Sequence, residues 1–235
     1  MSSVTRSPLR VIGVGASAGG IQPLIELLAT LPADFPHAVC VTVHISASAE
    51  SLLPEILDRR CALTVTAAGH GARLDAGHVF VAPPDRHLLV ADGRIELSWG
   101  PKENGARPAV DVMLRSIARH GARGVAVVLS GVLGDGSNGA RLVLQAGGAV
   151  FVQDPSDAAV PSMPERALEL VGGDARVLTA REIGPALAAL EPGNGEGTEP
   201  DVDLPGVTDR AHGARPGGPA GDGGRDAISV ATAPE

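Results

Sequence analysis

Ser17, His44 and Asp135 stand far apart in this sequence, yet they are the three side-chain types that together can cleave an ester or amide. A serine hydroxyl is a weak nucleophile until an imidazole takes its proton, and an acid must orient and charge-balance that imidazole. Ser17 lies in the stretch VIGVGASAGG, residues 11–20, where two motifs share the same glycines. Gly15, Ser17 and Gly19 fit G-x-S-x-G, the elbow that presents a nucleophilic serine. Gly13, Gly15 and Ala18 fit G-x-G-x-x-A, the turn that lays a dinucleotide pyrophosphate on a helix N-terminus. The loop taken alone fits either.

The elements around these residues decide whether they can meet. Short β-branched apolar runs, LRVIGVG, HAVCVTVHI, ALTVTAA, GVAVVLSG, GAVFVQD and ARVLTA, read as strands, most of them continuous enough to be buried on both faces. Helical patterns alternate with them: GIQPLIELLATL, SAESLLPEILDRR, AVDVMLRSIARHG, SNGARLVLQAG and PSMPERALELVGG. Strand, helix, strand in series implies an α/β fold, a doubly wound, mostly parallel sheet with helices on both faces. In GHVFVAPPDRHLLVADGRIELSW three short strand-like pieces are separated by turns at PPD and ADG, which predicts an antiparallel hairpin excursion. In such a sheet, chemistry sits beyond the carboxyl ends of the strands. Ser17 follows the first strand, His44 ends the second, and Asp135 follows GVAVVLSG, so all three are offered to one edge.

The dinucleotide reading needs Asp or Glu at the end of the second strand, about 20 residues past the glycines, to accept from ribose hydroxyls. His44 and Ser46 stand there instead. The order Ser17, His44, Asp135 also departs from the α/β-hydrolases, where the acid precedes the histidine.

Composition narrows the class. The chain has 235 residues, 44% hydrophobic and 2% aromatic, enough for one α/β domain with a core. The segment 191–235 holds 10 glycines and 6 prolines and carries −6 of the formal charge of −8, leaving −2 on the rest. It reads as a disordered Gly/Pro-rich acidic tail. A body so nearly neutral lacks the basic footprint that nucleic-acid binding requires. No apolar run approaches the roughly 20 residues of a membrane span, and MSSVTRSPLR has no apolar h-region, so the expectation is a cytoplasmic protein without membrane insertion. Cys40 and Cys61 read as reduced structural thiols.

Several separate stretches, GVGASAGG, VHIS, GHVFVAPPDRHLLV, RPAVDVMLRSIA, VVLSGVLGDGSNG and QDPSDAAVPSMPERAL, resemble the catalytic domain of the bacterial chemotaxis-type protein-glutamate methylesterases (CheB-like). The resemblance runs from about Arg10 to Leu190. It implies a triad of Ser17, His44 and Asp135 that hydrolyses γ-glutamyl methyl esters on methylated chemoreceptors or related signalling proteins, and deamidates receptor glutamines. It places the oxyanion on backbone N–H groups, with Val132 at the family's position and Ala18 in support, and implies no cofactor and no metal. Ala18 stands where many members have Thr, and GVLGDG replaces the commoner GMGxDG, so Leu133 stands for Gly. The family's usual architecture sets a phosphorylatable receiver domain before the esterase. Only about eight residues precede the first strand here, so a stand-alone enzyme is expected, controlled if at all by a separate receiver-domain protein, with a methyltransferase as a further partner.

The expected organisation is an N-terminal extension over 1–8, a methylesterase-like catalytic domain over 9–190 and the tail over 191–235. Plain readings stand beside the sharp ones. Ser17 could be only a helix N-cap. His70, His78, His87 and His120 lack metal-ligand spacing, and MLRSIA reads as a core-facing stripe. Asp111 and Arg115, at i,i+4 spacing, read as a surface pair. Asp85 and Asp154, beside prolines, read as turn hydrogen-bonders. Gly19 and Gly20 read as clearance for an approaching protein segment. Two other function classes stay open: a Rossmann-like nucleotide-binding module, and a catalytically weak regulatory protein that keeps the fold.

Overall fold

The computed structural model describes residues 9–44 and 51–191. The expected extension over 1–8 and, apart from Glu191, the expected tail lie outside the described residues. Seven parallel strands form the main sheet: β1 (Val11–Ala16), β2 (Ala38–Val43), β3 (Thr64–Ala67), β4 (His78–Val81), β7 (Gly124–Val128), β8 (Ala149–Gln153) and β9 (Arg176–Leu178). Their spatial order is β3-β4-β2-β1-β7-β8-β9, and β5 (His87–Ala91) pairs antiparallel with β6 (Arg94–Ser98) in a separate two-stranded sheet. The apolar runs form the central strands because β1, β2 and β7 are buried along their whole length, where β-branched residues pack on both faces.

The hairpin excursion is present, with one correction. Of the three pieces read there, the first, β4, lies parallel inside the main sheet between β3 and β2. Only the second and third make the hairpin.

Helices cover both faces. Residues of α1 (Ile21–Ala29), α2 (Leu53–Asp58) and α6 (Ala180–Ala188) join one core cluster with Ile12, Val14 and Ala16 of β1. Residues of α3 (Val110–Ala118), α4 (Ser137–Gln145), α5 (Ser162–Val171) and the hairpin join the other cluster, around Val11. The alternation of β1 side chains between the two clusters is the period-2 pleat of a strand buried on both sides. MLRSIA is indeed a core stripe, with Met113, Leu114 and Ile117 fully buried.

The sequence patterns missed α6. Pro185 sits inside it and interrupts the helical signal. The helix forms because Thr179 and Glu182 close a capping box at its start, and Ile183 and Leu187 are buried against the sheet.

Gly13 and Gly15 have a packing role. A Cβ on Gly15 would fall 2.1 Å from Val110 Cγ1, and one on Gly13 would fall 2.6 Å from Ile117 Cδ1. These glycines let α3 lie directly on β1, which brings the start of α3 to the carboxyl end of the sheet.

Candidate active site

Parallel register carries Ser17 and His44 to the same level. Ala16 pairs with Val43, and the chain continues in step, with His44 N–H donating to the Ala16 carbonyl at 3.1 Å. On the other side of β1, Ser17 N–H donates to the carbonyl of Ser130 at 3.0 Å, just past the end of β7. Asp135 follows in the turn that leads to α4, where Gly136 adopts φ +97°. β2, β1 and β7 are adjacent strands, so residues 17, 44 and 135 converge although up to 118 positions separate them in sequence.

The side chains form a continuous hydrogen-bonded chain. His44 Nδ1 lies 3.1 Å from Ser17 Oγ, and His44 Nε2 lies 2.6 Å from Asp135 Oδ2. An ionised carboxylate only accepts, so the proton of neutral His44 sits on Nε2 and leaves Nδ1 free to accept from the Ser17 hydroxyl. Ser17 and Asp135 are buried, whereas the His44 side chain keeps 20% of its surface exposed.

Asp135 is held by four donors. Oδ2 accepts from His44 and from Val110 N–H at 2.7 Å, and Oδ1 accepts from Asp111 N–H at 3.0 Å and Asn104 Nδ2 at 2.8 Å. Val110 and Asp111 open α3, whose first N–H groups have no partner within the helix, so Asp135 satisfies both and lies at the positive end of the helix dipole. Burial, the largest single influence, pushes the Asp135 carboxyl up, but the four hydrogen bonds together outweigh it and leave it below the ordinary carboxylate range.

The Ser17 turn is braced from β7 and β8. The Ser130 hydroxyl accepts from Val160 N–H at 2.9 Å and lies 3.0 Å from the Ala18 carbonyl, to which it donates, while Ser130 N–H donates to Gln153 Oε1 at 2.8 Å. Gly19 and Gly20 face this brace. A Cβ on Gly20 would fall 2.7 Å from the Ser130 carbonyl, and one on Gly19 2.9 Å from Ala159 Cβ. Their small size therefore serves packing within the chain, which corrects the reading of these glycines as clearance for a partner.

Past Gly131, Val132 and Leu133 are exposed, and Leu133 sits at φ +64° in the left-handed region. The N–H groups of Ala18 and Val132 find no acceptor among the described residues.

Two local readings are corrected. Asp111 is buried and bonds away from Arg115: its Oδ1 accepts from Gly139 N–H at 2.7 Å and its Oδ2 from Asn104 Nδ2 at 3.0 Å. Arg115 pairs with Glu103 instead. Burial pushes the Asp111 carboxyl up, and neighbouring Asp135 adds to that. Asp85 binds the Arg107 guanidinium at 2.7 Å, whereas Asp154 makes the expected turn bond to Ser156 N–H at 2.8 Å.

Asn104, Ser130 and Gln153 had not been singled out from the sequence. Asn104-Gly105 does carry the signal of a two-residue turn, and it forms one, with φ +50° and +75° and Ala106 N–H donating to the Glu103 carbonyl at 2.8 Å. That signal says nothing of the two carboxylates its side chain meets.

The family model described as CheB methylesterase matches residues 12–187. The chain is 37% identical over 163 residues to a protein-glutamate methylesterase/protein-glutamine glutaminase of Methanosarcina mazei, covering 66% of this chain and 44% of that protein. It is 39% identical over 183 residues to one of Anaeromyxobacter dehalogenans, covering 77% and 53%. The crystal structure of the Thermotoga maritima CheB methylesterase catalytic domain superposes with a TM-score of 0.72 at 33% identity, covering 77% of this chain and 97% of that one. The chain spans about half the length of the curated relatives it matches.

Proposed function

Because the chain belongs to the CheB methylesterase family, we propose that it is a serine hydrolase of glutamate γ-methyl esters on methylated chemoreceptors or related signalling proteins, and of the corresponding glutamine amides. The observation that carries this reading is the unbroken chain from Ser17 Oγ through His44 to the buried Asp135 carboxylate.

Ser17 Oγ attacks the ester carbonyl carbon while its proton passes to His44 Nδ1. The positive charge that forms on the imidazole is balanced by Asp135, which stays ionised because four donors hold it. The negative charge on the carbonyl oxygen falls to backbone N–H groups at the Ser17 and Val132 turns, with Val132 and Ala18 as donors; one such donor is typically worth about 10²–10³ in rate. Collapse expels the methoxy group, which leaves as methanol with the proton from His44. Water, deprotonated by the same imidazole, then releases the free glutamate and restores Ser17. An amide passes through the same steps and loses ammonia.

Nucleotide binding is disfavoured by His44 at the ribose-binding position and by the packing of Gly13 and Gly15 against α3. Among the described residues no helix is long and apolar enough to cross a membrane; a cytoplasmic location is part of this proposal. A receiver domain and a methyltransferase are the regulatory partners this reading calls for.

The test is methanol release from methylated receptor. Ser17→Ala removes the nucleophile and only its hydrogen bond to His44, so release stops while the unfolding transition stays where it was. Equal release by the variant would overturn the assignment.

A further inference from the structure

Asn104 lies outside the stretches that carry the family resemblance and touches none of the reacting atoms, yet it lies between two buried carboxylates. Its Nδ2 donates at 2.8 Å to Asp135 Oδ1 and at 3.0 Å to Asp111 Oδ2. We propose that Asn104 is a positioning residue of the triad, whose side-chain amide, anchored on Asp111, fixes the orientation of the Asp135 carboxylate toward His44. The proposal rests on the triad reading given above.

With both carboxyl groups ionised, the bonding pattern allows one arrangement only. A carboxylate cannot donate, so both faces of the gap between Asp111 and Asp135 demand a donor, and only the NH₂ end of the amide supplies two. That NH₂ group is held in turn. Asp111 is itself fixed by Gly139 N–H at 2.7 Å. A Cβ on Gly139 would fall 2.5 Å from Leu114 Cβ, so α4 is locked against α3 at this point. Asn104 sits in a tight turn at φ +50°, a conformation asparagine tolerates.

The loop carrying that turn is tied down at three further points. Glu103 pairs with Arg115 of α3, and Arg107 pairs with Asp85. Buried His87 accepts from Ala109 N–H at 3.2 Å on Nδ1 and donates to the Pro101 carbonyl at 2.9 Å from Nε2. Asn104 is therefore delivered to Asp135 by a braced loop.

Each oxygen of Asp135 has two donors, and the balance between them sets the tilt of the carboxylate plane. Without the amide, Oδ1 keeps one N–H, and Asp111 faces Asp135 with no hydrogen between them. The repulsion then turns Oδ2 away from His44 Nε2. The charged groups around the amide are Asp135 and Asp111 on its two sides, His44 beyond Asp135, and the Glu103–Arg115 pair; His87 lies buried at the foot of the loop.

Two variants of the full chain test this. Asn104→Gly deletes the amide while keeping a residue at ease at positive φ, and Asn104→Asp keeps the shape but replaces the donor by a third carboxylate. Methanol release and phosphonylation of Ser17 by a fluorophosphonate, which transfers phosphorus to Oγ and expels fluoride, are both followed at a temperature where all proteins are folded. Asn104→Gly is expected to lower both rates by roughly 10- to 100-fold with KM unchanged, the size expected when a group is displaced without being removed. Asn104→Asp is expected to be slower still at neutral pH, and its rate relative to wild type should rise as pH falls, because a protonated carboxyl regains a donor for Asp135. That pH signature has no counterpart in a merely structural role. A rate for Asn104→Gly within about twofold of wild type, or a ratio for Asn104→Asp that is flat with pH, overturns the proposal. Wild type that is phosphonylated at Ser17 but hydrolyses no glutamyl ester would refute the substrate reading while the Asn104 comparison stands on phosphonylation; wild type unreactive in both assays would take the triad and this proposal down together.

Discussion

Replacing Asp135 by asparagine probes the site and the fold at once. The carboxylate accepts four hydrogen bonds, two on each oxygen. An amide in the same place has one accepting oxygen and one donating nitrogen. If the nitrogen takes the Oδ1 position, it confronts Asn104 Nδ2 and Asp111 N–H. If it takes the Oδ2 position, it confronts Val110 N–H and His44, and forces the imidazole to carry its proton on Nδ1, the wrong tautomer for accepting from Ser17. Either way at least one buried backbone N–H at the start of α3 loses its acceptor, and the helix loses an anion at its positive end. A stranded buried donor costs about 1–3 kcal/mol, and the bonds lost were charge-assisted, so Asp135→Asn should destabilise the protein by on the order of 2–4 kcal/mol. Activity should fall by roughly 10³–10⁴, the scale of tautomer loss in an Asp-His-Ser system. Urea unfolding at pH 7 followed by circular dichroism, with methanol release on the same preparation, measures both. A variant as stable as wild type would refute the claim that this carboxylate organises the start of α3, and activity within about tenfold of wild type would refute its role as the acid of the triad.

Acid should unfold the protein partly through His120, whose side chain is buried and whose Nε2 finds no partner among the described residues. Burial, and then Arg123 and Arg119, push it down from 6.5 to about 4. The folded state thus disfavours the proton, so the contribution is fully present above the ordinary histidine value and is lost as pH falls from there toward about 4; by pH 5 this removes about 2 kcal/mol. His120→Leu, beside Leu9, Val11 and Leu74, should flatten that part of the stability profile, and parallel losses in wild type and variant between pH 7 and pH 5 would count against it. Leu133→Gly should stabilise by about 0.5–1 kcal/mol, since relief of the left-handed strain exceeds the added chain entropy; with the leucine 71% exposed, little burial is lost. A lower melting temperature for that variant would show that the leucine side chain makes a compensating contact.

The features legible in the sequence were those whose signal is local or topological. A fully buried parallel strand shows itself as a continuous apolar run, and β1, β2 and β7 were found that way. That Ser17, His44 and Asp135 meet was legible because Ser17 and His44 directly follow such runs, Asp135 lies in the loop after a third, and parallel strands deliver their ends to one edge. What was misread depended on partners remote in the chain. The glycines of VIGVGASAGG were read through the motifs they fit, but the atoms that require them belong to Val110, Ile117, Ser130 and Ala159. Asp111 and Arg115 have the spacing of a surface pair, yet the helix face that carries Asp111 turns toward α4, so a buried N–H claims it first. β4 was read with the hairpin because a run of four residues gives no sign of which neighbour it pairs with.

The same contrast explains why one motif looked like two. Both the dinucleotide turn and the nucleophile elbow need a strand to pass closely into a helix, and glycines serve that passage in either case. Here they serve a second close approach, that of α3 onto β1 from the opposite face. That approach brings the N–H groups of Val110 and Asp111 to the sheet edge, where an anion must meet them. In a nucleotide-binding protein a phosphate of the ligand could be that anion. In this chain Asp135 fills the place permanently, and having satisfied the helix it still has two accepting positions, one taken by Asn104 and one left for His44. A site that supplies its own anion has no comparable use for a ligand's phosphate, and the charge it retains is what a histidine needs in order to take a proton from serine. The start of α3, more than the glycines of β1, therefore separates the two readings.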